Sequence, residues 1–386
     1  MELYIPRFLR PPDSSYFLFG PRGTGKSTYL MHEHPDALTV DLLKPDLFRL
    51  YSARPERLFE LIAGNPDAKM VIVDEVQKVP ELLDVVHSLV EQKRKITFIL
   101  TGSSSRKLKR TGIDLLAGRV LLRTMHPFLL SEAKAIDFGF ALQNGLLPIV
   151  CASETPADVL NAYVELYVRE EVQIESMVRN VGNFTRFLEA ASFSHASVLN
   201  MSNIARECAI ERKVVEGYIA ILQDILLAFK IPVFTKRARR AVSSHPKFYF
   251  FDTGVFRTLR PKGPLDRPEE IDGAALEGLV AQHLRAWIAY SQHDNSLYFW
   301  RSRKGVEVDF VVYGERELVA LEVKNSSRVR PEDLRSLEAF REDYPEGKTY
   351  LLYRGSEKLR IKDILCLPCD YFLSHLVPDM AIGGIQ

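Results

Sequence analysis

The chain has 386 residues, 46% of them hydrophobic, enough to fill two or three separate cores at roughly 100–200 residues per domain. Its 51 basic and 50 acidic side chains leave a formal net charge of +1, which excludes a basic coat and confines nucleic-acid contact to local patches, RKLKR at 106–110 and KRARR at 236–240. Four cysteines give no disulfide framework, the N-terminus lacks signal- or transit-peptide character, and no run approaches ~18 consecutive apolar residues, so a cytoplasmic protein without membrane contact is expected.

The first ~145 residues alternate short apolar runs with helical stretches: YFLFG at 16–20, ALTVDLL at 37–43, MVIVDE at 70–75, TFILTGSS at 97–104 and VLLRTM at 120–125. Strands alternating with helices predict a parallel sheet covered on both faces. Directly after the first run, GPRGTGKS at 20–27 matches G-x-x-x-x-G-K-[ST] in full, in a strand-loop-helix setting. Gly20, Gly23 and Gly25 let the backbone curl so that its N–H groups face phosphates, and the following helix adds a favourable dipole. Nucleotide contacts are expected from Gly20, Pro21, Arg22, Gly23, Thr24, Gly25, Lys26, Ser27 and Thr28, with Lys26 on the β/γ-phosphates and Ser27 on Mg²⁺.

Asp74 and Glu75 end the hydrophobic run MVIVDE. Asp74 is expected to hold Mg²⁺ through water and Glu75 to polarise the water that attacks the γ-phosphate, unless Glu75 only caps the next turn. Thr101, Ser103 and Ser104 follow the next strand as candidate γ-phosphate sensors, Ser103 among them as a catalytic candidate. Phosphoryl transfer also gains from a cation near the developing charge. Arg119 is preferred for that role, with Arg22, Arg106 and Arg110 as competitors.

From about residue 156 the pattern turns helical, then gives NMSNIARECAI, ERKVVEGYIAILQDI and two apolar runs flanking the basic tip KRARR. Three helices and a hairpin are the plan of a winged helix-turn-helix, whose tip, with Lys247 beyond it, is expected to contact phosphates. PKGPLDRPEEIDG at 261–273 reads as a linker. A second α/β unit follows: AALEGLVAQHLRAWIAY, SLYFWRS, VEVDFVVY, LVALEVKN, a helix in EDLRSLEAFRED, and KTYLLYRG. The expected division is 1–150, 151–183, 184–255 and 256–386. Cys366 and Cys369 form a CxxC with no second ligand pair nearby, and are expected to be packing residues rather than zinc ligands.

GPRGTGKST, VIVDEVQ, ILTGSSS and LLAGRVLLRTMHPFLLSEA resemble the N-terminal domain of prokaryotic predicted AAA+ superfamily ATPases. PKFYFFDTGV, GAALEGLVAQHL, FWRSRKGVEVDFVV and ALEVKNSS resemble segments of the C-terminal domain of unknown function found in the same proteins. The resemblance implies an α/β fold class: a P-loop ASCE core, a central winged helix and an α/β restriction-endonuclease-like domain. With the motifs above, ATP and Mg²⁺ are expected as cofactors, a homo-oligomer as the assembly, and DNA as partner.

Side-chain alternation puts Glu322 and Lys324 on one face of LVALEVKN and separates Asp309 from the apolar face of VEVDFVVY. The set resembles the D-(x)n-E-x-K pattern of PD-(D/E)xK nucleases, in which two carboxylates hold Mg²⁺ and the lysine, here Lys324, serves the attacking water. Glu277, at the edge of an apolar helical stripe, is the expected third metal ligand, and Arg301 and Arg303 are candidate backbone contacts. Three functions stay open: an ATPase coupled to DNA binding with Mg²⁺-dependent cleavage, an ATP-gated DNA-binding switch with an inactive nuclease-like platform, and an assembly or signalling ATPase acting on protein partners.

Overall fold

Tyr16, Phe17, Leu18 and Phe19 are all buried, and a run apolar on both faces belongs inside a helix-covered sheet. The computed structural model, which describes residues 4–92, 96–103, 119–168, 181–235, 245–264 and 266–386, makes this run β1 (Tyr16–Phe19) of a five-stranded parallel sheet. The others are β2 (Leu38–Asp41), β3 (Met70–Asp74), β4 (Thr97–Gly102) and β5 (Leu121–Thr124), in the order β2-β3-β4-β1-β5. Each lies within a run the sequence singles out. The order is consistent with a P-loop AAA+ fold, in which one strand separates the P-loop strand from the acidic strand.

Helices α1 (Lys26–Glu33), α2 (Pro45–Ala53), α3 (Arg57–Ala63) and α4 (Leu82–Glu91) connect these strands. Phe17 and Phe19, Val71 and Val73, and Phe98 and Leu100 alternate along β1, β3 and β4 and pack with Leu58, Ile62, Leu82, Leu83, Val86 and Leu89. Each such apolar side chain contributes ~1.5–3 kcal/mol when fully buried, which makes the three inner strands a firm base for the loops at their C-terminal ends. Leu9–His126 and Asp224–Leu226 form this compact unit; Met1–Phe8, Pro127–Gln223 and Leu227–Gln386 form a second.

In the second unit, helices Val181–Ser192, Met201–Cys208 and Arg212–Asp224 precede or accompany a three-stranded antiparallel sheet. Its strands are β6 (Ser197–Val198), β7 (Ala228–Ile231) and β8 (Lys247–Phe250), with β8 in the middle. The basic stretches 106–110 and 236–240, and with them Arg106 and Arg110, lie outside the described residues, as does Ser104.

The helix Pro268–Tyr290 begins inside the stretch expected to be linker. Proline at its first turn costs no intrahelical hydrogen bond, and Glu269 and Glu270 in that turn favour the helix dipole, so the charged, proline-bearing segment starts a helix instead of interrupting one. Beyond it lies a mixed six-stranded sheet in the order β13-β14-β12-β11-β10-β9, with β9 (Asn295–Arg301), β10 (Glu307–Gly314), β11 (Leu318–Lys324), β12 (Lys348–Tyr353), β13 (Leu359–Ile361) and β14 (Ile364–Pro368). β10 is antiparallel to both β9 and β11, whereas β11, β12 and β14 are mutually parallel and β13 is antiparallel to β14. Cys366 sits in the core of this sheet with Leu337, Phe340 and Leu351, and Cys369 is buried at the start of the helix Cys369–Ser374.

Candidate functional sites

The loop after β1 turns into α1 through Gly23 and Gly25, at φ 81° and 86°, a left-handed backbone that glycine adopts without the Cβ penalty. The first turn of α1 carries no acid, so its N–H dipoles stay free to face an anion. Lys26 is buried, and its ammonium donates to the carbonyl oxygens of Gly20 (2.7 Å) and Pro21 (3.3 Å), which holds it across the loop. The Thr24 hydroxyl donates to the Pro21 carbonyl at 2.7 Å. Arg22 and Thr28 are exposed.

Three strands bring the acidic residues to this loop. The Ser27 hydroxyl donates to Asp74 Oδ2 at 2.7 Å, and the Thr101 hydroxyl donates to Asp74 Oδ1. Thr101 also accepts the Glu75 N–H at 3.0 Å, so one buried hydroxyl fixes both the carboxylate and the backbone beyond it. A hydroxyl and a carboxylate meeting beside the P-loop lysine are a fitting oxygen donor set for Mg²⁺. Glu75 has φ 59°, a left-handed conformation that costs a non-glycine residue about 1–2 kcal/mol.

Gln77, which sequence reasoning passed over, ties the remaining groups together. It lies on the 3-10 turn Val76–Lys78, and its amide donates to Glu75 Oε2 and, at 3.1 Å, to the Ser103 hydroxyl. A Cβ on Gly102 would stand 2.6 Å from Gln77 Oε1, so only glycine lets this side chain approach the end of β4 so closely. The sequence signal was its place two residues after Glu75 at a strand end. Arg119 rests on α4, where its guanidinium donates to Glu91 Oε1 at 3.0 Å and lies 3.2 Å from His87 Nε2.

In the second unit, β10 and β11 place Asp309 beside the backbone of Val323, whose N–H donates to Asp309 Oδ2 at 2.9 Å. The β9–β10 register shifts between Val308 and Val311, an irregularity that re-aims Asp309. Lys324 donates to Glu322 Oε1 at 2.6 Å. The other oxygen of Asp309 does not face a solvent-filled site. Lys247, expected as an outward phosphate contact, is buried on β8, and its ammonium stands 2.9 Å from Asp309 Oδ1 and 3.0 Å from Glu277 Oε1. The amphipathic stem draws it in and the two acids neutralise its head. The Tyr249 hydroxyl donates to the same Glu277 oxygen at 2.6 Å.

Burial lowers the affinity of Lys247 for its proton, but the Asp309 and Glu277 charges outweigh it and hold the ammonium well above the ordinary lysine range. Burial and the Asp309 charge push Glu277 up to about 7, and Glu322 up to about 8. Among the described residues, no three His, Cys, Asp or Glu side chains converge as ligands for one metal ion. Glu322 is buried against Lys324 and Ser336, and with the Lys247 ammonium between Asp309 and Glu277 the three acids do not present a free ligand set to one divalent ion. Arg301 is paired with Glu307 across β9 and β10 at 3.3 Å, and Arg303 is exposed. Among the described residues, no helix is long and apolar enough to cross a membrane.

Comparison with known proteins divides the chain in three. Residues 13–134 match the family model described as an AAA domain, residues 137–266 a domain of unknown function (DUF8612), and residues 272–372 a domain of unknown function (DUF4143). Around the P-loop the chain is thus similar to AAA domains. It is 26% identical over 370 residues to uncharacterized proteins of Mycobacterium bovis and Mycobacterium tuberculosis, covering 92% of this chain and 80% of each relative. It is 22% identical over 341 residues to an uncharacterized protein of Methanocaldococcus jannaschii, covering 80% of this chain and 74% of that one. Among solved structures, the replication initiator DnaA bound to AMPPCP and single-stranded DNA aligns at TM-score 0.26 and 15% identity, over 55% of this chain and 82% of DnaA. A signal transduction ATPase with numerous domains from Pyrococcus horikoshii aligns at 0.24 and 13% identity, over 75% of this chain and 48% of that one. At such scores these two alignments carry no inference.

Proposed function

We propose that the chain binds ATP with Mg²⁺ and hydrolyses it, and that the nucleotide cycle governs how its central and C-terminal regions engage DNA. The observation that carries the ATPase reading is the convergence of Ser27, Asp74, Thr101 and Glu75 beside the P-loop. Ser27 and Asp74 would hold Mg²⁺, which supplies charge neutralisation at the phosphates when bound. The loop N–H groups and Lys26 bind and orient the phosphates. Glu75 takes the role of orienting water, with its carboxylate held through Gln77 to Ser103. Arg119 is assigned the supporting cation of a homo-oligomer.

The test is a steady-state ATPase assay on the full chain. Lys26→Ala and Glu75→Gln are each expected to lower turnover by about 100-fold or more. Unchanged hydrolysis in both would sink the reading.

The helices and three-stranded sheet of the central region are read as a winged helix, and the six-stranded region as a nuclease-like fold of PD-(D/E)xK type. Binding to DNA that weakens steeply with salt supports that half of the proposal; salt-independent or absent binding counts against it. Of the alternatives, the ammonium of Lys247 between Asp309 and Glu277 favours a non-cleaving platform over a nuclease. The Asp309, Glu277 and Glu322 set does not fit a bound Mg²⁺, so no cleavage step is assigned to it.

A further inference from the structure

A divalent ion held by Asp309 and Glu277 would need their oxygens at ~2.0–2.1 Å for Mg²⁺. Lys247 Nζ already lies 2.9 and 3.0 Å from one oxygen of each. Each acid also has an oxygen committed to a further donor. Asp309 Oδ2 is bound to the Val323 N–H, Glu277 Oε1 also accepts from Tyr249, and Glu322 Oε1 accepts from Lys324. A metal at these acids would therefore sit close to the Lys247 ammonium, and like charges at short range in a buried place repel strongly.

We propose that Lys247 is a built-in cation: its ammonium takes the place of a divalent metal between Asp309 and Glu277, which converts a metal-dependent cleaving site into a structural one.

Its place in the fold argues for permanence. β8 is the middle strand of its sheet, and Lys247 pairs with Ile231 of β7 on one side and Val198 of β6 on the other. Its backbone is therefore fixed on both sides, and burial of the side chain keeps the ammonium within the cluster. Tyr249, two residues on and so on the same face of β8, reaches the same Glu277 oxygen. Phe299 lies beneath the ammonium, its ring centre 5.8 Å away, and adds a further favourable contact for a cation. One strand thus delivers both donors to acids carried by the helix Pro268–Tyr290 and by β10. The pattern of the cluster survives in the sequence while its cation comes from elsewhere in the chain.

The inference rests on the nuclease-like reading of Asp309, Glu322 and Lys324, and its test uses neither ATP nor DNA, so it can fail or stand independently of both. Nucleotide-free full-length protein is titrated with Mn²⁺, and bound ion is counted by electron paramagnetic resonance. Wild type is expected to show no Mn²⁺ site that depends on Asp309. Lys247→Met is expected to gain one equivalent, bound at least about tenfold more tightly than by wild type, as removal of the buried ammonium relieves the repulsion. Adding Asp309→Asn to Lys247→Met should abolish the gain.

A wild-type site lost in Asp309→Asn overturns the proposal, and so does a folded Lys247→Met protein that takes up no Mn²⁺. Lys247→Gln, which keeps a polar head on a similar stem, serves as the second variant. If neither variant folds, the comparison of wild type with Asp309→Asn decides: an Asp309-dependent Mn²⁺ site overturns the proposal, and its absence supports it. Gain of Mn²⁺ by Lys247→Met in a protein that fails to bind DNA would uphold the built-in cation and remove the DNA reading.

Discussion

The P-loop site and the cluster at Asp309 both gather carboxylates at the ends of strands, yet they surround them with different partners. Asp74 is met by two hydroxyls, Ser27 and Thr101, which are neutral and leave its charge to a cation. Asp309 is met by an ammonium and a backbone N–H, which spend that charge within the protein. Matching a motif therefore decides which acids are present, whereas the neighbours decide whether they serve a metal. In the first site the neighbours lie inside the motifs. In the second the decisive neighbour, Lys247, lies outside.

The largest expected effect comes from breaking the second arrangement. Lys247→Ala leaves Asp309 and Glu277 buried with no cation, and a loss of about 3–5 kcal/mol of stability is expected by urea unfolding. Lys324→Ala, whose side chain is 34% exposed but whose partner Glu322 is 7% exposed, should cost less, about 1–3 kcal/mol. Equal costs would mean that Lys247 is not the group that neutralises the cluster.

Within the first site the corresponding change is Thr101→Val, which keeps the shape but removes the hydroxyl shared by Asp74 and Glu75. Turnover is expected to fall roughly 10–100-fold, the loss of one or two positioned hydrogen bonds. Thr101→Ser should recover most of it. Stability that falls while turnover holds would place Thr101 in the fold rather than in the reaction. Gln77→Ala comes next. It frees the Glu75 carboxylate from Ser103, and turnover should change by up to about tenfold with little effect on nucleotide binding measured by titration.

How much of this could be read in advance follows the distance between partners. Gly20 to Ser27 is one contiguous stretch, and Asp74 ends a run whose burial on both faces marks it as an inner strand. The sheet and its acidic strand were legible for that reason. Gln77 was not, because only the 3-10 turn brings it back to Glu75. Lys247 was misread as outward because its partners lie 30 and 62 residues further along the chain. β13 and β14 were missed as well: at three and five residues, they are too short for alternation to stand out from a loop. Pro268 read as a linker residue because proline marks both breaks and first turns.

The second unit also holds titratable groups that respond to acid. Two of its buried histidines are held neutral by the backbone. His195 Nδ1 accepts the Phe250 N–H at 3.0 Å, and His283 Nε2 accepts the Leu130 N–H at 3.0 Å. Burial pushes His195 down to about 3 and His283 down to about 4, from an ordinary 6.5. Between 6.5 and those values the unfolded chain binds protons that the folded chain refuses, so this contribution is intact above pH 6.5 and is lost as pH falls below it. Each histidine should cost about 1 kcal/mol between pH 6.5 and 5.5. Against them run the Glu277 and Glu322 carboxyls, which the fold raises to about 7 and about 8 and which add stability as pH falls. His195→Gln, whose amide oxygen can still accept from Phe250, should therefore shift the stability change between pH 6.5 and 5.5 by about 1 kcal/mol toward greater acid stability than wild type, as read by urea unfolding at a series of pH values. A slope that the substitution leaves unchanged would mean that His195 takes up its proton without unfolding, and that the packing around it yields more readily than its hydrogen bond implies.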